Sequence, residues 1–331
     1  MMEIIKNIEL SKSGLSVSEE RLYNKLYCDF SELLPYLTRS DVNEIMLNPD
    51  GGLWIDSNVD GLLEVTHLSN HKAFAIINAV ASIHNIVVSA SMPRLEAQLP
   101  VFKYFKGERF TAQVPPIVSS PSFSLRKRTE FVYTLQDYVA THRMTPKQAD
   151  ILEDLVKNRQ NILVCGGPGS GKTTVTNALI VAAVECDPTQ RFVLLEDLPE
   201  LQCQAQNKVT MLTSMSVSMT GLLHAAMRMR PDRILVGEVR GREALDMLKA
   251  WNTGCPGGIC TVHANGPEET IQRILDLSME AGLSLPPIGL VRHTINAVVA
   301  VERCGNKKGF VEAIVLLEKG RNDKIVFNKI A

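Results

Sequence analysis

The sequence predicts an α/β chain in two parts, and three observations predict it. From about residue 160 onward, short apolar runs alternate with stretches of helical periodicity, the rhythm of a doubly covered sheet. The runs themselves, "NILVCGG", "RFVLLED", "DRILVGEV" and "GGICTVHA", are apolar on both alternating faces. Neither face tolerates water, which points to parallel strands with helices on each side. The first third has a different grain, with short strands and helices mixed in an α+β pattern.

In that first third, "VNEIMLNPDGGLWID" reads as strand, turn, strand, with the turn at Asn48-Pro49-Asp50-Gly51-Gly52. "HKAFAIINAVASIH" has its apolar residues at helical spacing. "RFTAQVPPIVSSPSFSLRKR" alternates like a strand but carries Pro115, Pro116 and Pro121, so part of it is expected at an edge or in a loop. "TEFVYTLQDYVATHRMTPKQ" reads as a connector: Thr134 with Asp137 caps a short helix, and Thr145-Pro146 starts another. The expected division is an N-terminal domain at 1–133, a linker at 134–144 and a second domain at 145–331. Within the second, "KTTVTNALIVAAV", "TGLLHAAMRM" and "GREALDMLKAWNTG" are the helices between strands.

Composition bounds the function. With 331 residues, 45% hydrophobic and 21% charged, the chain is long enough for two globular cores. A formal charge of -1 removes any overall basic field toward nucleic acid or anionic lipid. The seven cysteines, Cys28, Cys165, Cys186, Cys203, Cys255, Cys260 and Cys304, are odd in number and never paired as C-x-x-C. They read as reduced thiols of a cytoplasmic protein. The opening "MMEIIKNIELSKSG" has no apolar signal region. The most apolar stretch, "AFAIINAVASIHNIVVSA", is interrupted by Asn78, Ser82, His84 and Asn85, so work at a membrane is expected to be surface work.

The chemistry begins at Gly166-Gly167-Pro168-Gly169-Ser170-Gly171-Lys172-Thr173, which fits G-x-x-x-x-G-K-[ST] between an apolar strand and a helix. Glycines let the backbone turn its N–H groups inward on phosphate oxygens, and the helix N-terminus adds its positive dipole end. Lys172 is expected to reach the outer phosphates of ATP and Thr173 to ligate Mg2+, with Thr174 following in the first helical turn. Two acid sets stand at expected strand ends: Glu238 in "ILVGEV", and Glu196, Asp197 and Glu200 in "LLEDLPE". Ligands of open α/β sheets bind beyond the carboxyl ends of the strands, so both sets face the γ-phosphate. Glu238 or Glu196 serves as base; Glu200 is either part of the site or a solvated carboxylate at a helix start. Gly237 stands where many nucleotide-binding loops' partner strands carry an aspartate, so Glu238 is expected to act through water.

Taken in order, "GGPGSGKTT", "EDLPELQ", "RPDRILVGEVRG" and "TGCPGGICTVHAN" resemble the four boxes of the secretion ATPases, the hexameric motors of type II and type IV secretion and of pilus assembly. "GERFTAQVPP" and "PSFSLRKR" are similar to the N-terminal domain of the type IV branch, and "DRILVGEVRGREALDMLKAWNTG" looks closest to its conjugal-transfer type. The resemblance implies a PAS-like N-terminal domain joined to a RecA-like ATPase domain. It also implies a homo-hexameric ring on the cytoplasmic face of the inner membrane, peripheral to it and docked on membrane components of a type IV secretion complex. By motif position, Arg109 and Arg126 match arginines that reach nucleotide from the N-terminal side, and Arg228 matches one near the subunit boundary. His263 matches the histidine of the fourth box and is expected to contact the γ-phosphate or the attacking water.

Two departures and one cluster qualify the resemblance. Pro168 stands where the family usually has threonine; it removes one N–H donor, so altered kinetics are expected rather than lost binding. Cys255 stands where the conjugal-transfer type usually has histidine. Cys255, Cys260 and His263 lie close in sequence, but three groups fall short of a structural zinc set. In an extended strand Cys260 and His263 point to opposite faces, which also argues against a Cys–His nucleophile. The expected function is ATP hydrolysis powering conjugative type IV secretion. A pilus-retraction or type II motor, a nucleic-acid translocase using "RKR" and "MRMRPDR", and a nucleotide-gated scaffold are the alternatives; direct nucleic-acid binding stays open.

Overall fold

The computed structural model describes residues 16–57, 59–127, 132–214, 216–304, 307–319 and 325–331. Arg128 of the "RKR" cluster and the N-terminal stretch read for a signal region lie outside them. The chain divides into two compact units, Met1–Glu130 and Phe131–Ala331.

The first unit is an antiparallel sheet with helices. Helix α1 (Val17–Asp29) starts at a capping box in which Ser16 and Glu19 exchange hydrogen bonds, and α2 (Leu34–Leu37) is a single turn. The strands are β1 (Val42–Leu47), β2 (Gly52–Ser57), β3 (Gly61–His67), β4 (Arg94–Gln98), β7 (Arg109–Gln113) and β8 (Ser122–Arg126), with helix α3 (Asn70–Ile83) between β3 and β4 and a small hairpin, β5 (Val101–Phe102) and β6 (Phe105–Lys106). The sheet order is β3-β2-β1-β8-β7-β4. Ile45, Ile55, Phe110 and Leu125 from alternate strand positions meet Leu26 of α1, Phe30 just after it, and Ile76 and Val80 of α3 in one core. Of the edge or loop expected from the prolines in "RFTAQVPPIVSSPSFSLRKR", the structure shows the loop: β7 and β8 are interior strands, and Pro115, Pro116 and Pro121 lie in the connection between them.

The second unit opens with α4 (Leu135–Ala140) and α5 (Pro146–Lys157), capped by Thr134 with Asp137 and by Thr145 with Gln148. The stretch 134–144, read from sequence as a linker, places Leu135, Tyr138 and Met144 in this unit's core. Its helix is too short for periodicity to announce a buried face.

An eight-stranded sheet follows in the order β11-β10-β12-β13-β9-β14-β15-β16. Its strands are β9 (Ile162–Gly166), β10 (Phe192–Glu196), β11 (Lys208–Leu212), β12 (Arg233–Glu238), β13 (Ile259–His263), β14 (Ala297–Cys304), β15 (Lys307–Lys319) and β16 (Ile325–Lys329). Pairings from β11 through β14 are parallel, and the β14-β15-β16 edge is antiparallel. Helices α4, α5 and α6 (Lys172–Cys186) cover one face. The other carries α7 (Met219–Ala226), α8 (Glu243–Asn252), α9 (Pro267–Met279) and α10 (Ile288–Thr294). β9 and β10 are buried at every position, which is why their sequences carry no polar alternation.

The glycine turn before β13 is a packing device. A Cβ on Gly258 would lie 2.0 Å from the Trp251 ring, and one on Gly257 would lie 2.4 Å from the Arg233 guanidinium. Arg233 is 1% exposed and donates to Gln190 Oε1 at 2.6 Å, Val156 O at 2.8 Å and Gly257 O at 3.2 Å. At the sheet end opposite the nucleotide loop it thus ties the segments entering β10 and β13 to the last turn of α5.

Candidate active site

The strand-to-helix turn Gly166–Thr173 is built by close backbone approach. A Cβ on Gly166 would lie 2.2 Å from Val301 O and 2.5 Å from Ser170 Oγ, so only glycine fits. Gly171, at φ 100°, caps α6 in the left-handed region. Gly309 N donates to Ser170 O at 2.7 Å, so the β14-β15 hairpin backs the loop from behind. Gly167 and Gly169 are half-buried and Pro168 is exposed. The N–H that proline lacks is therefore lost from the loop's outer rim.

Lys172 is 6% exposed and folds back on its own loop. Its Nζ donates to Gly166 O and Gly167 O, both at 2.9 Å, and lies 3.2 Å from His263 Nδ1. An ammonium only donates, so Nδ1 accepts and the ring proton sits on Nε2. That nitrogen is 3.0 Å from Glu238 Oε1, and the other carboxylate oxygen, Oε2, accepts from Arg240 at 2.7 Å. Arg240 continues to Asp197 Oδ2 at 3.6 Å. A continuous line thus runs from the phosphate-loop lysine through histidine to the strand-end glutamate.

Thr173 and Thr174 are half-buried at the start of α6. Thr173 Oγ1 reaches Glu200 Oε2 at 3.5 Å. Glu196 is 1% exposed, and its Oε1 accepts from Glu200 N at 2.8 Å and Leu201 N at 2.6 Å. It holds the following loop in place, and its side chain lies against Gly237, where a Cβ would be 3.3 Å from Glu196 Cγ. The glycine that replaces an aspartate in this strand therefore leaves room for the neighbouring strand's glutamate.

Arg228 is exposed in the turn after α7. Arg109 and Arg126 belong to the first unit, where they face each other across β7 and β8, with Glu44 opposite Arg126 on β1. Arg240 is the residue that sequence reading missed; its position two residues after Glu238 was its only signal. Cys255 precedes β13 and Cys260 is fully buried among apolar side chains, with burial pushing its thiol well up, whereas His263 is exposed at the strand's far end. Among the described residues no group of three His, Cys, Asp or Glu side chains is placed to hold a metal ion.

Burial lowers the His263 pKa below the ordinary histidine value; Glu238 opposes this shift, and Lys172 and Arg240 reinforce it. The neutral ring is the form that accepts from Lys172. Its contribution is complete above the ordinary imidazole pKa and is lost as pH falls through that value to the lower folded one. The melting temperature of the wild type is expected to fall more than that of His263→Asn between about pH 7 and pH 5, as read by scanning fluorimetry. With the side chain 47% exposed, the difference is expected to be small.

Residues 32–312 match the family model described as "Type II/IV secretion system protein". The chain belongs to this family. It is 39% identical over 307 residues to the conjugal transfer protein TrbB of Rhizobium radiobacter, covering 92% of this chain and 93% of that one. It is 34% identical to the type IV secretion system protein PtlH of Bordetella pertussis, covering 82% of this chain and 88% of PtlH. The fold is shared with the Legionella pneumophila ATPase DotB, at TM-score 0.59 and 18% identity over 91% of this chain and 79% of DotB. The protein is a traffic ATPase of the type IV secretion branch, with a RecA-like second unit. No helix among the described residues is long and apolar enough to cross a membrane.

Proposed function

We propose that this ATPase hydrolyses ATP as a homo-hexameric ring to power conjugative transfer, docked on inner-membrane components of a type IV secretion complex at the cytoplasmic face. The observation that carries the reading is the line of close polar contacts beside the phosphate loop, Lys172 Nζ at 3.2 Å from His263 Nδ1 and His263 Nε2 at 3.0 Å from Glu238 Oε1. The loop amides and Lys172 hold the phosphates; to do so Lys172 leaves the carbonyls of Gly166 and Gly167 and the ring of His263. His263 thereby registers an occupied γ-phosphate position and passes the change to Glu238, which accepts the proton of the attacking water. Glu196 shapes the loop behind it.

Thr173 and Glu200 offer only oxygen donors, the set a hard divalent cation takes, and they would hold Mg2+. When bound, the ion neutralises phosphate charge. Arg109 and Arg126 are register partners on β7 and β8, which puts two cationic side chains at one place on the sheet. We assign them to the nucleotide's phosphates and Arg228 to the subunit boundary. The similarity to TrbB over most of both chains supports the conjugative role.

The test is particle mass measured beside ATPase rate, with and without Mg-ATP. Six-subunit particles that turn over ATP are expected; a monomer that binds ATP in Mg2+ without hydrolysing it would contradict the proposal.

A further inference from the structure

β12 and β13 change register at the site. Val236 pairs with Cys260 and Glu238 with Thr261, leaving Gly237 as one extra residue in β12. The cores show what this does. Ile234 and Val236 face the side of α7, α8 and α9, and so does Val239. In an uninterrupted strand residue 238, not 239, would join Ile234 and Val236, because side chains alternate. The bulge reverses the alternation, as a one-residue slip must. Without it, Glu238 would be driven into the apolar layer under α8; with it, the carboxylate emerges beside His263 and Lys172.

A single side chain fastens the bulge. Thr261 is 4% exposed, and its Oγ1 donates to Gly237 O at 2.6 Å. Below it, Val239 N donates to Thr261 O at 3.4 Å, closing the other side of the extra residue. Gly237 itself lies against Glu196, so the bulge is clasped from both neighbouring strands.

We propose that Thr261 is a positioning residue for ATP hydrolysis: its hydroxyl fixes the bulge at Gly237 that turns Glu238 to the nucleotide side of the sheet. The inference rests on the reading of Glu238 as the carboxylate that activates water. Thr261 is buried, with its hydroxyl given to Gly237 O, and acts only through the aim of Glu238.

The experiment compares Thr261→Val, which keeps the branched shape and removes the hydroxyl, with Thr261→Ser, which keeps the hydroxyl. Steady-state ATPase kinetics and binding of a fluorescent ATP analogue are measured for both. Thr261→Val is expected to lose about tenfold or more in kcat with KM and analogue affinity near wild type, since small misplacements of a reacting group cost that much. Thr261→Ser is expected to recover most of the rate. Thr261→Ala removes the same hydroxyl without burying a new methyl and is expected to show the same loss, which covers the case of an insoluble valine variant. Wild-type kcat in the hydroxyl-free variants, or equal losses in serine and valine, would overturn the inference. Glu238→Gln is run beside them: if it turns over normally, the reading of Glu238 has failed; if it is dead while Thr261→Val is normal, only the role of Thr261 has failed.

Discussion

Replacing Glu238 by glutamine is expected to lower ATP turnover by about 10²–10⁴-fold and to leave nucleotide affinity near wild type, the range a positioned general base supplies. The expectation follows from where the charge sits. Glu238 stands at the end of β12, 3.0 Å from His263 Nε2 and 2.7 Å from an Arg240 nitrogen. Glutamine keeps the shape and one acceptor oxygen but cannot take a proton from water. It also removes the negative charge that faces both the His263 ring and the Arg240 guanidinium, and it turns an amide NH2 toward one of these two N–H groups. Phosphate binding uses the loop amides and Lys172, which the substitution does not touch, so KM and analogue binding are the control. A Glu238→Gln protein with wild-type kcat would move the base elsewhere, and Glu196 is a poor second choice because one of its oxygens already accepts from two backbone amides.

The second large effect falls on stability, at the opposite end of the sheet. Arg233→Ala is expected to destabilise the protein by about 3–5 kcal/mol, from the cavity left and the three acceptors that lose their donor. For a unit of this size that corresponds to a melting temperature lower by about 10 °C. Arg233 is 1% exposed, its three hydrogen-bond partners are neutral oxygens, and burial lowers its pKa to about 10. It stays charged at neutral pH because those oxygens, on Gln190, Val156 and Gly257, converge on the guanidinium plane. Arg233→Lys is expected to recover only part of the loss, since one ammonium cannot span the same three acceptors. Thermal unfolding followed by circular dichroism measures both; a shift within a degree of wild type for Arg233→Ala would show that the tie contributes nothing.

What was legible in the sequence was whatever chemistry forces to be contiguous. The phosphate loop needs its glycines, lysine and threonine in unbroken order, and β9, β10, β12 and β13 are apolar because both faces are covered. Helix starts at Thr134 and Thr145 were legible because a capping box is local. What depends on pairing between distant segments was not legible. Thr261 and Gly237 are 24 positions apart, and nothing in either strand alone marks an extra residue. The order of the first sheet brings Glu44 beside Ser124, 80 positions away, so the interior place of β8 could not be read from the segment alone. Arg240 has an ordinary charged-loop context in sequence and acquires meaning only when Glu238 and Asp197 arrive beside it.

The account's central claim is that hydrolysis by this chain, beyond nucleotide binding, drives transfer. The most direct measurement is mating frequency in the native host with the gene deleted and complemented by wild type or by Glu238→Gln, at matched protein levels. The account predicts that wild type restores transfer and that the binding-competent, non-hydrolysing variant does not. Transfer at wild-type frequency by Glu238→Gln, with its ATPase loss confirmed on purified protein, would contradict it.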